Sequence, residues 1–185
     1  MKNLNTLLAG VFLAVALPFG ALILSGQSQL GGLGRAAGEE GGALFPSREP
    51  GLAIQGRAVY VSLGCVNCHT QQVRPAGQGS DIARGLGARP SVARDYALQS
   101  QVLLGERRLG PDLANYGARA SKIDIDALLR DPASSGAAWH PYYSYLYGRS
   151  ADGKSIVPSE RAVALVAYLK SLRQDYSSPE ANLKQ

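Results

Sequence analysis

Two cysteines and a histidine, in the run Cys65-Val66-Asn67-Cys68-His69, constrain this chain more than any other stretch. The C-x-x-C-H spacing is typical of covalent haem attachment, in which each thiol adds to one vinyl group of the porphyrin. One helical turn between Cys65 and Cys68 spans the two vinyl groups, and His69 then lies beneath the iron as its proximal ligand. We therefore predict one covalently bound c-type haem.

Three other interpretations of this motif stay open: a redox-active cysteine pair, half of a zinc site, or a chance occurrence. The chain has only 2 cysteines and 2 histidines, so a four-ligand zinc site would have to recruit carboxylates. A thioredoxin-like cysteine pair belongs in a βαβ context, which the sequence does not show. These comparisons favour haem, and they leave no thiol for a disulfide.

An uncharged apolar run, Leu7 to Leu24, follows the amino terminus. Counting 7 through 24 gives 18 residues, which is about 27 Å of helix and barely spans a bilayer core. A cleaved signal peptide and a retained anchor both fit such a run. Its length exceeds that of a usual signal-peptide core, and no clear A-x-A cleavage site follows. These two features favour a retained anchor, which we assign to residues 1–25. Lys2 would stay inside, with the rest of the chain outside.

Composition divides the remaining chain into three parts. Residues 26–50 are rich in glycine and proline and predict a linker that tethers the domain flexibly or lies along a partner. Residues 51–175 form the domain, and residues 176–185 form a polar tail that we expect to fray. Helical periodicity predicts a mostly α-helical domain. The stripes that carry this prediction are Gly56, Val59, Tyr60 and Leu63, and Ala162, Leu165, Val166, Leu169 and Leu172.

Capping patterns place the other elements. Ser121-Lys122-Ile123-Asp124 predicts a helix start, and Asp131-Pro132 ends that helix. Gly110-Pro111-Asp112-Leu113 predicts a turn that opens a short helix, and Pro158-Ser159 opens the last helix.

The charge pattern bounds the partners. The net charge of +5 suits an acidic redox partner or anionic lipid headgroups, and equally simple solubility. No basic run with interleaved aromatic residues occurs, which argues against nucleic acid. Arg74 is a candidate for pairing with a haem propionate, because its guanidinium matches carboxylate geometry. The alternative for Arg74 is a solvated surface residue.

Four segments extend the motif to a longer pattern: Gly56-Arg57-x-x-Tyr60, Gly64-Cys65-x-x-Cys68-His69-x-Gln71-x-x-Arg74-Pro75, Ser91-Val92-Ala93-Arg94-Asp95-Tyr96 and Arg108-Leu109-Gly110-Pro111-Asp112-Leu113. With these segments, the anchor and residues 52–172 resemble subunit II of the cbb3-type cytochrome c oxidases. The resemblance implies a class I cytochrome c-like haem domain with one N-terminal transmembrane helix in a bacterial inner membrane, facing the periplasm. It implies electron transfer beside a haem–copper catalytic subunit and another c-type cytochrome subunit. It also implies that the Pro111 carbonyl accepts the imidazole N–H of His69.

The chain departs from this family at the sixth iron ligand, a methionine in a Met-Pro-x-Tyr segment. The matching segment here is His140-Pro141-Tyr142-Tyr143, and Met1 is the only methionine. The resemblance therefore implies His140 as distal ligand, with Tyr142 as a haem-contacting residue. The alternative is an unrelated histidine, with the sixth site empty or filled by water, lysine or tyrosine.

Two rival functions remain at this point. One is a stand-alone, membrane-anchored cytochrome c that serves another complex. The other, of a different class, is a haem-based gas sensor or ligand-binding protein, which needs an open or weakly held sixth site.

Overall fold

The computed structural model describes residues 2–37, 42–119 and 124–182. It begins with a helical rod made of helix α1 (Lys2–Pro18), a π-helical segment (Phe19–Leu24) and helix α2 (Ser25–Leu30). The π-helical segment starts directly after Pro18, which has no N–H for the regular hydrogen-bond ladder. The rod is exposed along its length, and it extends five residues beyond the predicted anchor boundary at residue 25.

By length and composition this rod suits a membrane span. The stretch Asn3–Leu30 has 28 residues and a mean hydropathy of 2.6 in its most apolar window, none of it buried against the domain. A cleaved signal sequence meets the same criteria.

The domain is built on the crossing of helices α3 (Gly51–Ser62) and α5 (Glu160–Ser171). Gly56 lies at the crossing, where a Cβ atom would collide with the Ala164 carbonyl, so only glycine allows this approach. The rings of Tyr60 and Tyr168 meet edge to face beside it, with centroids 5.5 Å apart. The two predicted stripes form much of the buried core.

Helix caps follow the predicted chemistry in part. The Ser159 hydroxyl accepts from the Ala162 N–H and so caps α5. Asp124 caps helix α4 (Ile125–Arg130) by accepting from the N–H groups of Asp126 and Ala127. The other residues of the predicted start, 121–123, lie outside the described residues.

The predicted short helix after Gly110 is wrong. Residues 110–119 form consecutive turns, because the carbonyl and amide groups of this segment bond outward to the proximal loop. The Gly110 N–H donates to Cys68 O at 3.0 Å, and the Leu113 N–H donates to Thr70 O at 2.9 Å.

Two antiparallel hairpins complete the fold. Strand β1 (Ala36–Ala37) pairs with β2 (Leu44–Phe45), with Ala36 opposite Phe45. Strand β3 (Tyr147–Arg149) pairs with β4 (Ile156–Pro158), with Gly148 opposite Val157. Short 3₁₀ turns cover Cys65–Asn67, Ala93–Tyr96, Ser144–Leu146 and Pro179–Asn182.

The described parts of the linker and the tail pack on the domain, in contrast to the predicted flexible tether and frayed end. Phe45 of the linker stacks on Tyr176 of the tail, with ring centroids 4.5 Å apart. Tyr176 is only 9 % exposed and Ser178 only 1 %. The polar composition of both segments concealed one aromatic residue in each, and these two rings bury one another.

Candidate functional site

The attachment motif follows directly from helix α3. Gly64 has a left-handed backbone (φ 73°), which turns the chain into the 3₁₀ turn at Cys65–Asn67. The His69 N–H donates to Cys65 O at 2.9 Å, so one turn separates the first thiol from the imidazole. Cys65 and Cys68 are unpaired and partly buried, and burial raises the pKa of the Cys65 thiol to about 11.

The His69 imidazole is oriented by the segment that follows Leu109. Its Nδ1–H donates to the Pro111 carbonyl at 2.8 Å, the hydrogen bond that the resemblance implies. A carbonyl can only accept, so Nδ1 carries the proton and the Nε2 lone pair is free to bind a metal. Burial lowers the pKa of His69, which favours the neutral, metal-binding form.

Glycine makes this approach possible. A Cβ atom at Gly110 would collide with the His69 ring, and one at Gly105 would lie 2.8 Å from the His69 carbonyl carbon. The backbone is therefore packed directly against the imidazole on this side.

A cavity of about 340 Å³ opens above His69, between helices α3, α4 and α5. Apolar side chains from these helices and from the segments between them form most of its wall, as a macrocycle with apolar faces requires. The lining residues are Tyr60, Cys65, His69, Pro111, Leu113, Tyr116, Arg119, Ile125, Leu128, Leu129, Ser135, Ala137, Trp139, His140, Leu165 and Leu169.

His140 faces His69 across this cavity. The two ring centroids are 6.1 Å apart and the ring planes are inclined by 48°. Metal–imidazole bonds of about 2 Å on each side of an ion, as for zinc, would together with the two half-rings place the centroids about 6 Å apart. The His140 Nδ1–H donates to the Pro141 carbonyl at 3.0 Å, which leaves its Nε2 free as well. Trp139 and Tyr143 contact the His140 ring edge to face.

Sequence reasoning missed Arg119, which lines the cavity. One of its terminal N–H groups donates to the Asp112 carbonyl at 2.9 Å, and burial lowers its pKa. A cation that is taken out of water is stabilised by a carboxylate. Among the described residues, however, Arg119 makes no salt bridge. Nothing local in the sequence distinguishes Arg119 from the other arginines, so only the fold identifies it.

Two predicted site residues lie elsewhere. Arg74 makes a two-pronged ion pair with Asp81, at 2.9 Å from both Nε and a terminal nitrogen, and it does not line the cavity. The nearby carboxylate therefore satisfies its guanidinium in place of a haem propionate. Tyr142 is 55 % exposed and also outside the lining, whereas the next residue, Tyr143, is 8 % exposed and contacts His140.

These residues fit an iron porphyrin. Two imidazole rings lie on the cavity with centroids 6.1 Å apart, and the Cys65 thiol lies in the wall. The surroundings are apolar, and the Arg119 guanidinium can meet an acidic substituent. Among the described residues, no three histidine, cysteine, aspartate or glutamate side chains form a group that could hold a metal ion. This weakens the zinc interpretation.

Comparison with known proteins agrees with the geometry. A family model described as "Cytochrome C oxidase, mono-heme subunit/FixO" matches residues 48–168, well over half of the chain. The match begins just before helix α3 and ends within α5, so it contains the motif and every cavity-lining residue except Leu169. A comparison with curated proteins returned no match. The chain belongs to the family of mono-haem, electron-transferring subunits of cbb3-type cytochrome c oxidases.

Proposed function

We propose that this subunit carries one c-type haem, bound covalently by Cys65 and Cys68 and ligated axially by His69 and His140, and that it relays single electrons within the oxidase. The observation that carries the proposal is the facing pair of imidazoles, 6.1 Å apart across an apolar cavity. Haem as cofactor and electron transfer as function follow from family membership. The covalent bonds and the histidine pair are our inference from the residues.

The chain's own residues divide the work. The Pro111 carbonyl holds the His69 ring in orientation and increases its basicity through the Nδ1–H bond. Arg119 is placed to pair with a propionate, and the apolar wall keeps water from the iron. When bound, the haem supplies the one-electron couple.

A second imidazole changes the redox balance. A methionine thioether as iron ligand raises the reduction potential of a c-type haem, whereas an imidazole donates more electron density to ferric iron. We expect a lower potential than in relatives with methionine, and a natural electron donor that is itself low in potential.

We place the subunit in a bacterial inner membrane, anchored by the helix Asn3–Leu30, with the haem domain in the periplasm. The length and hydropathy of that helix support this placement, as does membership of an oxidase family. The proposed partners are the haem–copper catalytic subunit and another c-type cytochrome subunit. Retention of the anchor predicts a chain that begins near Met1 and resists alkaline carbonate washing, and amino-terminal sequencing tests it.

Attachment is tested by acid–acetone extraction, after which a covalently bound haem stays with the protein. Ligation is tested by magnetic circular dichroism and electron paramagnetic resonance on wild type and His140→Ala. The wild type should be low-spin without a methionine–iron charge-transfer band, and His140→Ala should be high-spin or readily bind imidazole. Tyr142→Ala, an exposed change two residues away, is the control. A His140→Ala spectrum equal to wild type would exclude His140 as the ligand.

Copurification tests which complex the subunit belongs to. Recovery with a haem–copper catalytic subunit supports the oxidase. Recovery with a different complex would indicate a carrier for another chain. Ready displacement of His140 by carbon monoxide in the ferrous wild type would favour a ligand-binding role.

A further inference from the structure

The linker and the carboxyl-terminal tail meet on the haem domain away from the cavity, in contacts that electron transfer does not require. We propose that these contacts form a linker–tail clamp that holds the haem domain at a fixed, short distance from its membrane anchor. The proposal rests on the retained anchor proposed above. The clamp consists of Gly34, Arg35, Phe45, Arg89, Arg94, Asp95, Tyr176 and Glu180.

The linker is closed on itself before it meets the domain. Arg35 donates from Nε to the Pro46 carbonyl at 2.9 Å and from a terminal nitrogen to the Leu44 carbonyl at 2.9 Å. These bonds and the pairing of β1 with β2 join the two ends of the hairpin. Residues 38–41 lie outside the described residues.

The second strand of this hairpin is attached to the domain through an aromatic stack. Phe45 lies on Tyr176 with centroids 4.5 Å apart and planes inclined by 9°. The Arg89 guanidinium lies 4.8 Å from the centre of the same Tyr176 ring. Stacked rings and a cation over a ring attract one another in addition to the gain from burying their surfaces.

Tyr176 is itself held by buried charge. Its hydroxyl donates to Asp95, whose side chain is 0 % exposed and pairs with both terminal nitrogens of Arg89 at 2.8 and 2.9 Å. The Arg89 Nε–H also donates to the Tyr176 carbonyl at 3.1 Å. A paired and fully hydrogen-bonded charge in this position resists displacement, because separation would leave a buried charge alone.

Arg94 attaches the part of the linker that precedes the first strand. It donates to the Gly34 carbonyl at 2.7 Å and, from Nε, to the Glu180 carboxylate at 2.8 Å. Glu180 also accepts from the Ser178 hydroxyl at 2.6 Å. Gly34 is only four residues beyond Leu30, the last residue of helix α2, which is at most about 14 Å of chain.

Two attachment points have a consequence that one would not. A single contact would let the hairpin pivot on the domain, but contacts at Gly34 and Phe45, joined by the closed hairpin, prevent rotation about either one. The short connection to Leu30 then limits how far the haem can move from the membrane end of the anchor. The distance of the haem from the anchor is therefore limited within this chain, before any partner subunit binds.

The test measures distances in the full haem-loaded chain in lipid nanodiscs. A nitroxide is placed on Ser28→Cys, an exposed position of α2, and pulsed electron paramagnetic resonance gives the haem–nitroxide distance distribution. We expect one narrow distribution in this parent, and at least a twofold broader one when Phe45→Ala and Arg94→Gln are added. The matched control adds Leu44→Ala and Arg107→Gln to the parent. Both changes alter exposed side chains and leave the contacts of the clamp in place, so the distance distribution should stay narrow.

A broad distribution in the parent, or an equally narrow one in the clamp variant, would overturn the proposal. Purified chain that lacks residue 28 would overturn the anchor together with the clamp, whereas a broad distribution from labelled chain overturns the clamp alone. The haem absorption spectrum verifies the fold of each variant. Phe45→Ala alone, a change on the surface hairpin, replaces the double variant if the latter fails to hold haem.

Discussion

The segments that carry the two histidines are held in different ways. His69 lies in a loop that other backbone surrounds: Pro111 accepts from its ring, and Gly105 and Gly110 pack directly on it. The Tyr60 hydroxyl also donates to the His69 carbonyl at 3.2 Å. His140 follows an exposed run, residues 133–136, and its ring bonds only to the next residue, Pro141.

The difference separates two tasks. The His69 imidazole is positioned by long-range contacts, so its geometry is a property of the whole fold. The His140 imidazole is presented by a surface segment whose bonds are local, such as the His140 N–H to Ala137 O at 2.8 Å. A side chain on such a segment can be exchanged without repacking the core, which fits our proposal that His140 takes the place of the methionine ligand that the resemblance implies. Four changes test this comparison.

Gly110→Ala should have the largest effect, because the added methyl group collides with the His69 ring. Neither the backbone at Gly110 nor the backbone at His69 can move away to relieve this collision. We expect a destabilisation of about 3 kcal/mol or more and little mature haem protein. Urea unfolding and haem staining after electrophoresis measure both. Gly148→Ala, where a Cβ atom meets nothing within 4 Å, is the matched control. Normal haem content in Gly110→Ala would show that the proximal side is looser than the contacts indicate.

His140→Met should change the potential and leave the fold intact. Thioether in place of imidazole should raise the midpoint potential by on the order of 0.1 V. Redox titration measures the potential, and thermal unfolding should shift by only a few degrees. An unchanged potential would mean that residue 140 does not bind the iron, and a collapsed fold would contradict the local support proposed for this segment.

Acid should weaken the proximal side through Asp81. The Arg74 guanidinium beside Asp81 lowers the pKa of that carboxyl from 3.8 to about 2. The ionised form is thus favoured by folding: its stabilisation is complete above about pH 4 and is lost as the pH falls through 2. With the partly exposed Arg74 allowed for, Asp81→Asn should cost about 1–2 kcal/mol at pH 7.

The difference between wild type and Asp81→Asn should shrink progressively below pH 4, as measured by urea unfolding at pH 7, 4 and 3. The exposed change Glu106→Gln should give a difference near zero at each pH. A difference independent of pH would show that Asp81 contributes packing and no charge interaction.

Arg119→Gln should have the smallest effect. Loss of a cation beside the cavity favours ferric haem, so the potential should fall by a few tens of millivolts, where about 59 mV is a tenfold change in a one-electron equilibrium. The exposed change Arg107→Gln is the control and should shift the potential by less. A rise in potential, or equal shifts in both variants, would remove Arg119 from the cofactor site.

Local chemistry explains which features could be predicted. The C-x-x-C-H motif specifies its cofactor within five residues, and periodicity located both core helices because burial repeats with the helical turn. His140 was a candidate from the residues alone, because the chain has only 2 histidines and the motif commits His69. The resemblance strengthened that prediction by aligning His140 with the family's methionine.

The sequence by itself determined the two long domain helices, the cap at Ser159 and the apolar amino-terminal rod, and it predicted covalent haem attachment. Only the tertiary structure decided that Arg119 lines the cavity while Arg74 pairs with Asp81. It also decided that the glycine-rich linker and the polar tail pack together through Phe45 and Tyr176. The physical reason is that a side chain's partner is chosen by distance in space, and residues 131 positions apart leave no periodicity or spacing that records their contact.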